Sequence, residues 1–192
     1  LKSTVKENIE DNLINLTFDI GESEKFYVEK INVLGNNITR EEVIRNNLLV
    51  DEGDAFNELL QARTLNNLKS LNFFSNVESE ILDSSNKNKK IINITVEEKP
   101  TGEIMAGAGF GTSGGTVAFG VSENNFLGRG IEFSSDLTVS AESLKGLISL
   151  KNPNYKGSNR SLNASLESIV TDRLKNFGYK SNKTGFSVGS GF

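Results

Sequence analysis

The sequence predicts an α+β module of order β-α-α-β-β followed by antiparallel strands of a transmembrane β-barrel, as a fragment of a larger barrel. Residues 1–100 hold 3 of the 18 glycines, and residues 101–192 hold the other 15. The charge balance changes at the same place, from 12 Lys and Arg against 18 Asp and Glu to 9 against 7. Alternating apolar and polar residues then run through the second part, as in a sheet with two different faces.

Composition excludes several kinds of site. The chain has no cysteine and no histidine, so it lacks a disulfide framework and the commonest metal ligand. No grouping of nucleophile, base and oxyanion donors is visible, and no interleaving of aromatic and basic residues indicates nucleic acid. We therefore expect a protein that is not an enzyme, uses no cofactor or metal and binds no nucleic acid.

The ends of the chain indicate a fragment of a longer protein. Leu1 is not an initiator Met, residues 1–6 lack the apolar core of a signal peptide, and Phe192 falls within a predicted strand. No run approaches the roughly 18 apolar residues of a transmembrane helix. We expect targeting signals to lie outside this sequence.

The strands of the first part follow from period-two alternation and turn residues. Strand 13–20 is interpreted as the last strand of a preceding module. A second strand covers 27–34, and two more, 73–81 and 91–97, are joined by a polar hairpin loop.

Two helices are predicted between these strands. Thr39 and Glu42 have the spacing of a capping box, which predicts a helix that ends near Gly53. A second helix is predicted over residues 57–70, because mostly leucine residues recur there at helical spacing and form a stripe along one side. The stripe consists of Leu59, Leu60, Arg63, Leu65, Leu68 and Leu71.

Five strands and the start of a sixth, at Thr184, are predicted in the second part. Alternation is clearest over residues 131–139 and recurs near 104–110, 117–121 and 144–150, and again near 162–170. A soluble β-sandwich would alternate in the same way and stays open as an alternative. Strands of about nine to eleven residues joined by consecutive hairpins favour a membrane barrel, and six strands are fewer than the roughly eight that close one.

Three local patterns have simpler explanations than a binding site. Gly109, Gly111 and Gly114 have the spacing of a dinucleotide fingerprint, but the following residues continue as a strand instead of a helix. The pair at residues 97–98 is interpreted as solvated carboxylates, and the lysines of residues 87–90 as a charged hairpin tip.

The order of these segments resembles the BamA family of outer-membrane assembly factors, in which periplasmic POTRA modules precede a barrel. Residues 31–36 with Thr39 resemble the opening strand of a POTRA module. Residues 68–77 resemble its passage from helix to strand, where the family usually has glycine at the position of Asn72. Residues 96–100 resemble the exit into the barrel.

Two turns carry the resemblance into the second part. Residues 123–130 and 152–155 resemble the first two periplasmic turns of the family barrel, although Asn154 separates Pro153 from Tyr155, which the family often joins directly. The resemblance implies the end of a preceding POTRA module over residues 1–25, a POTRA domain over 26–99 and the first six or so barrel strands over 100–192.

The resemblance implies a function, a location and partners. The function is the folding and insertion of outer-membrane barrel proteins without ATP. The location is the bacterial outer membrane, with the first part in the periplasm. The partners are unfolded outer-membrane proteins, assembly lipoproteins at the POTRA modules and outer-membrane lipid.

Two strands are the candidate sites for pairing with a substrate strand. One is the POTRA edge, made of Phe73, Phe74, Ser75, Asn76, Val77, Glu78, Ser79, Glu80 and Ile81. The other is the barrel seam, made of Ile104, Met105, Ala106, Gly107, Ala108, Gly109, Phe110 and Gly111. Glycines in the seam strand weaken its packing, so we expect the seam to open and lend its edge to a substrate.

Two rival functions share this architecture. A related POTRA-barrel transporter would secrete one dedicated passenger, of the two-partner or autotransporter-assembly type. A passive anchor would use the POTRA module only as a spacer that docks lipoproteins.

Overall fold

The computed structural model of the chain describes residues 2–10, 13–21, 24–111, 114–158 and 160–192. Its elements form three sheets and a few short helices. In chain order they are β1 Lys2–Glu10, β2 Leu13–Gly21, β3 Tyr27–Leu34, α1 Glu41–Arg45, α2 Glu58–Ser70, β4 Phe74–Asp83, β5 Lys89–Glu98, β6 Gly102–Gly111, β7 Gly114–Phe126, β8 Ile131–Ser140, β9 Ser143–Asn152, a 3₁₀ turn at Tyr155–Gly157, β10 Ser161–Arg173, α3 Leu174–Phe177 and β11 Tyr179–Gly191.

The α+β module is built on a sheet of order β3-β5-β4, in which β5 pairs parallel with β3 and antiparallel with β4. Both helices come between β3 and β4, so the predicted order β-α-α-β-β is confirmed. Ile31, Ile92 and Ile94 of the sheet and Ile44 and Leu68 of the helices are almost fully buried in one core. This single core makes the module a compact platform for its edge strands.

The predicted capping box is wrong. The residue before α1 is Arg40, and it makes no side-chain cap. The hydroxyl of Thr39 instead accepts a hydrogen bond from Nδ2 of Asn125, at 2.8 Å. Helix α1 is also shorter than predicted, because it stops before Asn46 and Asn47, residues that favour turns over helix interiors.

Helix α2 begins one residue later than predicted, because Asn57 caps it by accepting hydrogen bonds from the amides of Leu59 and Leu60. The predicted leucine stripe is only partly the buried face. Gln61, Thr64 and Leu68 are the buried positions, whereas the Leu59 side chain is 61% exposed. The buried polar Thr64 accepts a hydrogen bond from the amide of Leu49, which ties the helix to the preceding loop.

The first two strands form a hairpin of their own. Strand β2 lies where the sequence predicts a strand, and β1, which the sequence reasoning did not predict, pairs antiparallel with it along its whole length. Leu16 and Phe18 are more than half exposed on this hairpin.

The second part is one antiparallel sheet of six strands, of order β11-β10-β9-β8-β7-β6. All six predicted strands are present, and β11 begins at Tyr179, five residues before the predicted Thr184. The early residues of β11 are mostly polar, so alternation of apolar residues could not mark its start. The sheet is open within the described residues, since β6 and β11 do not pair with each other.

The two faces of this sheet differ chemically. One face is apolar, and residues paired across neighbouring strands form rows on it, such as Phe133, Leu150, Ala164 and Val188. The opposite face carries ion pairs between strands, from Lys151 to Glu132 at 3.1 Å and from Lys145 to Glu167 at 2.9 Å. One apolar and one polar face is the arrangement of a barrel wall between lipid and a polar interior.

The described residues contain no helix of the length and hydropathy that a membrane crossing requires. The dinucleotide spacing does not form a nucleotide loop, because Gly109 and Gly111 lie in β6 and Gly114 begins β7. The sequence also predicts a turn at residues 112–115, of which 112 and 113 lie outside the described residues.

Candidate functional site

The predicted POTRA edge occupies an edge of its sheet. Strand β4 pairs with β5 on one side, and no other described strand lies on its far side. Phe73 precedes the strand. A register shift between Phe74 and Asn76 turns Phe74 and Val77 both into the core. The other predicted residues, Ser75, Asn76, Glu78, Ser79, Glu80 and Ile81, are exposed or half-buried. An edge strand presents unpaired amide and carbonyl groups to any extended chain that approaches it.

The predicted seam strand also lies at an edge. Strand β6 pairs with β7 over ten residues, and its far side has no partner among the described strands. All ten residues of β6 are exposed, among them Ile104 and Phe110. A Cβ atom added at Gly107, Gly109 or Gly111 would meet no atom within 4 Å. Larger side chains therefore fit there, and the glycines are not required by crowding.

The two edges begin beside each other. The amide of Lys99 donates to the carbonyl of Phe73, at 3.0 Å, and Nζ of Lys99 donates to Oδ1 of Asn72, at 2.5 Å. Only Pro100 and Thr101 then separate Lys99 from β6. An apolar cleft of 790 Å³ lies at this point, lined by Phe73 at one edge and Gly102 at the other.

Asn72 lies at the position where the family that the sequence resembles usually has glycine. Its φ is +61°, in the left-handed region that glycine occupies without cost. Asparagine tolerates this region better than most residues. Asn72 therefore serves the turn that the family usually makes with glycine, and adds the hydrogen bond from Lys99.

Glu98 is a structural residue of the junction, and its interpretation as a solvated carboxylate is wrong. Its carboxylate accepts hydrogen bonds from the amides of Asn37, Ile38 and Thr39, at 2.9, 2.8 and 2.6 Å. Burial raises the pKa of this carboxyl, but the hydrogen bonds from these residues outweigh burial, so the pKa lies below its ordinary value of 4.5. The adjacent Glu97 is exposed.

Lys90 also differs from its interpretation as part of a charged hairpin tip. Its Nζ lies 2.9 Å from Asp83 and 4.7 Å from the centre of the Phe26 ring. Lys87 and Lys89 are exposed, as predicted for such a tip.

The turn between β7 and β8 joins the sheet to the α+β module. Asn125 is 6% exposed, and besides its hydrogen bond to Thr39 its Oδ1 accepts from the amide of Gly130, at 2.7 Å. The amide of Arg40 donates to the carbonyl of Gly128, at 2.8 Å. A Cβ at Gly128 would lie 2.0 Å from the carbonyl oxygen of Ile38, so only glycine permits this approach.

Sequence reasoning missed this junction. Thr39 and Asn125 are 86 residues apart, and no local spacing connects them. Gly128 and Gly130 were the available signal, since glycines in a turn can mark a close backbone approach. Among the described residues, no group of acidic side chains is arranged to hold a metal ion.

The comparisons with known proteins agree with this architecture. The POTRA family, described as "Surface antigen variable number repeat", matches residues 26–99. The chain is 27% identical over 157 residues to the outer membrane protein assembly factor BamA of Nitratidesulfovibrio vulgaris. This match covers 80% of this chain and 20% of that protein. The chain is 32% identical over 155 residues to BamA of Buchnera aphidicola. This second match covers 79% of this chain and 25% of that protein.

Solved structures show the same fold. A crystal structure of BamA from Haemophilus ducreyi lacking POTRA domains 1–3 matches 97% of this chain and 36% of its own, with a TM-score of 0.81 and 24% identity. CdiB from Escherichia coli matches 96% of this chain and 35% of its own, with a TM-score of 0.54 and 14% identity. The chain thus spans about a fifth to a quarter of the curated relatives described above. Residues 26–99 thus form a POTRA domain, and the chain as a whole is similar in sequence and fold to one part of the outer membrane protein assembly factor BamA.

Proposed function

We propose that this chain is part of an assembly factor that folds and inserts outer-membrane β-barrel proteins, acting without enzymatic chemistry. One observation carries the proposal: two edge strands, β4 and β6, begin beside each other at Lys99. A substrate strand held at β4 would therefore start close to the edge at which it must be added to the barrel.

The physical basis is pairing between backbones. An unfolded barrel strand has amide and carbonyl groups that lipid cannot satisfy, so it enters a membrane only when a partner strand pairs with it. Strand β4 would supply that partner in the periplasm through β-augmentation. Strand β6 would supply it in the membrane, where its glycines weaken the existing pairing at the seam.

The proposal includes the location and partners of the protein. The two-faced sheet would lie in the bacterial outer membrane, with its apolar face against lipid, and the POTRA domain would lie in the periplasm. Unfolded outer-membrane proteins would be the substrates, and lipoproteins would bind the POTRA modules. The relatives named as outer-membrane assembly factors support these assignments.

The transporter of a dedicated passenger remains the second candidate. The likeness to CdiB from Escherichia coli, at 14% identity, concerns the fold alone and assigns no passenger. Curated relatives of 27 and 32% identity are named as assembly factors, and they favour assembly.

The test is reconstitution of the full-length protein that carries this chain. Unfolded outer-membrane barrel protein is added to liposomes, and its folding is followed by heat-modifiable gel mobility. We expect faster folding than in empty liposomes. Replacing Gly107, Gly109 and Gly111 with valine should slow folding, because β-branched residues strengthen strand pairing and should keep the seam closed on the side of β6 away from β7.

The matched control is Gly146→Val in β9, which pairs with a strand on each side and also has no atom within 4 Å of an added Cβ. This variant should keep the wild-type rate. A folded protein that gives no acceleration would contradict the proposal and favour the transporter or the passive anchor. An unchanged rate in the triple valine variant would contradict the role of the seam.

A further inference from the structure

A second groove, of 310 Å³, lies at the junction on the side of α1. Its lining includes Arg40 before α1, Arg129 in the turn between β7 and β8, and Lys156 in the turn after β9. Three separate segments thus bring three cations to one groove. None of these segments contributes to the edges β4 and β6, so the groove is separate from the proposed strand-pairing site.

The charges in the groove are unbalanced. Glu42 is the single acidic residue in its described lining, against three basic ones. No ion pair of Arg40, Arg129 or Lys156 occurs among the described residues, and all three side chains are exposed. The groove therefore attracts anions, and two guanidinium groups suit the oxygens of a phosphate.

The groove opens at the margin of the apolar sheet face. Ile131, in its lining, is the first residue of β8 and lies on the same face as Phe133 and Leu137. Tyr155 also lines the groove and is 42% exposed, with Nζ of Lys156 at 5.4 Å from its ring centre. Basic residues and tyrosine at the border of an apolar face are typical of the level of lipid headgroups.

We propose that this groove binds the phosphate headgroup of an anionic phospholipid whose acyl chains lie along the apolar face of β8 and β9. Arg40, Arg129 and Lys156 bind the phosphate, and Ile131 contacts the start of the chains. A soluble phosphate would use the cations alone, whereas a lipid uses both the cations and the apolar margin. The lipid joins the POTRA domain to the sheet, because its ligands come from both.

The inference rests on the membrane placement in the proposed function, but not on strand insertion. The test measures lipid selectivity by electron spin resonance on the full-length protein in phosphatidylcholine vesicles. Spin-labelled phosphatidylglycerol and spin-labelled phosphatidylcholine are compared for the fraction whose motion is restricted by the protein. We expect wild type to prefer phosphatidylglycerol.

The decisive variant combines Arg40→Gln, Arg129→Gln and Lys156→Gln. It should lose at least about fivefold of this preference, the factor that roughly one cation contributes near an anionic membrane surface. The charge-matched control combines Lys25→Gln, Lys69→Gln and Lys87→Gln, exposed lysines of the α+β module outside the groove lining. The control should keep the wild-type preference.

Each other outcome contradicts the inference. An equal loss in the control would indicate general charge attraction, and an unchanged preference in the groove variant would assign the cations to another ligand, such as an acidic protein segment. Loss of the preference on adding inorganic phosphate at constant ionic strength would make the groove a site for soluble anions. If no lipid of either kind is restricted, the membrane placement itself fails, which separates that failure from a failure of the groove.

Discussion

Single residues at the junction make contacts that cannot be predicted from the neighbouring sequence. Glu98 lies on the last position of β5 and holds three consecutive amides of the segment before α1. A charged acceptor makes a stronger hydrogen bond with an amide than a neutral acceptor does. This carboxylate therefore fixes the segment from which Thr39 and Arg40 reach the sheet.

Replacing Glu98 with Gln should loosen that segment. The amide side chain keeps one neutral acceptor oxygen, so we expect a loss of roughly 1 to 3 kcal/mol in the local opening free energy. Hydrogen-exchange protection of the amides of Asn37, Ile38 and Thr39 measures it. Glu97→Gln, next to it and exposed, is the control and should change nothing.

The same protection should depend on pH. Because folding lowers the pKa of Glu98 below 4.5, its stabilisation is fully present above that pH and disappears as the pH falls through the lower, folded value. The Gln variant should lack this dependence. Equal pH dependence in wild type and variant would show that another group holds these amides.

At this scale the resemblance to the family singled out one position, Asn72, where the family usually has glycine. The φ of Asn72 is +61°, which lies in the left-handed region that glycine adopts without cost. Thr39 was assigned to a capping box because it lies three residues before Glu42, whereas its partner in the structure, Asn125, lies in a distant turn. The residue type indicated that the Thr39 side chain makes a hydrogen bond, but the sequence could not identify its partner.

At the scale of elements, alternation predicted strands well because each strand of the six-stranded sheet has one apolar face. It failed at the start of β11, where residues 180–183 are polar. The leucine stripe of α2 is only partly right, because Leu60, Leu65, Leu68 and Leu71 pack on the core whereas Leu59 is exposed. The buried positions also include Gln61 and Thr64, since packing on β4 and on the loop before α2, and not hydrophobicity alone, selects the face.

The turn between β7 and β8 is the element that fixes the sheet to the POTRA domain. Gly128→Ala would place a Cβ 2.0 Å from the carbonyl oxygen of Ile38, so the turn must move away. The hydrogen bond from the amide of Arg40 to Gly128 should then break. We expect the Arg40 amide to exchange at least about fivefold faster, as the loss of roughly 1 kcal/mol implies.

Gly178→Ala is the control for that variant. Gly178 also has a positive φ, of +74°, and also lies in a turn of the sheet, but an added Cβ there would meet nothing within 4 Å. It has the same backbone strain without the collision. Faster exchange of the Arg40 amide in both variants would mean that strain in any turn, and not this contact, loosens the junction.

At the scale of the whole molecule, the POTRA sheet and the barrel-type sheet act as one unit because three kinds of contact join them. The chain passes directly from β5 to β6, Asn125 and Gly128 bind the segment before α1, and Lys99 bonds to the start of β4. The sequence indicated two parts from glycine content and charge. Their mutual placement depends on contacts between distant residues, so it required the structure.

The proposed function requires that a substrate strand pairs with β6 while the strand is being inserted. The chain has no cysteine, so a single Gly109→Cys variant can report this contact by disulfide formation with a cysteine in the terminal strand of an unfolded outer-membrane barrel. Gly146→Cys in β9, where an added Cβ also meets nothing within 4 Å, is the matched control. We predict a disulfide adduct with Gly109→Cys during folding and little with Gly146→Cys. No adduct at position 109, or equal yields at both positions, would contradict the account.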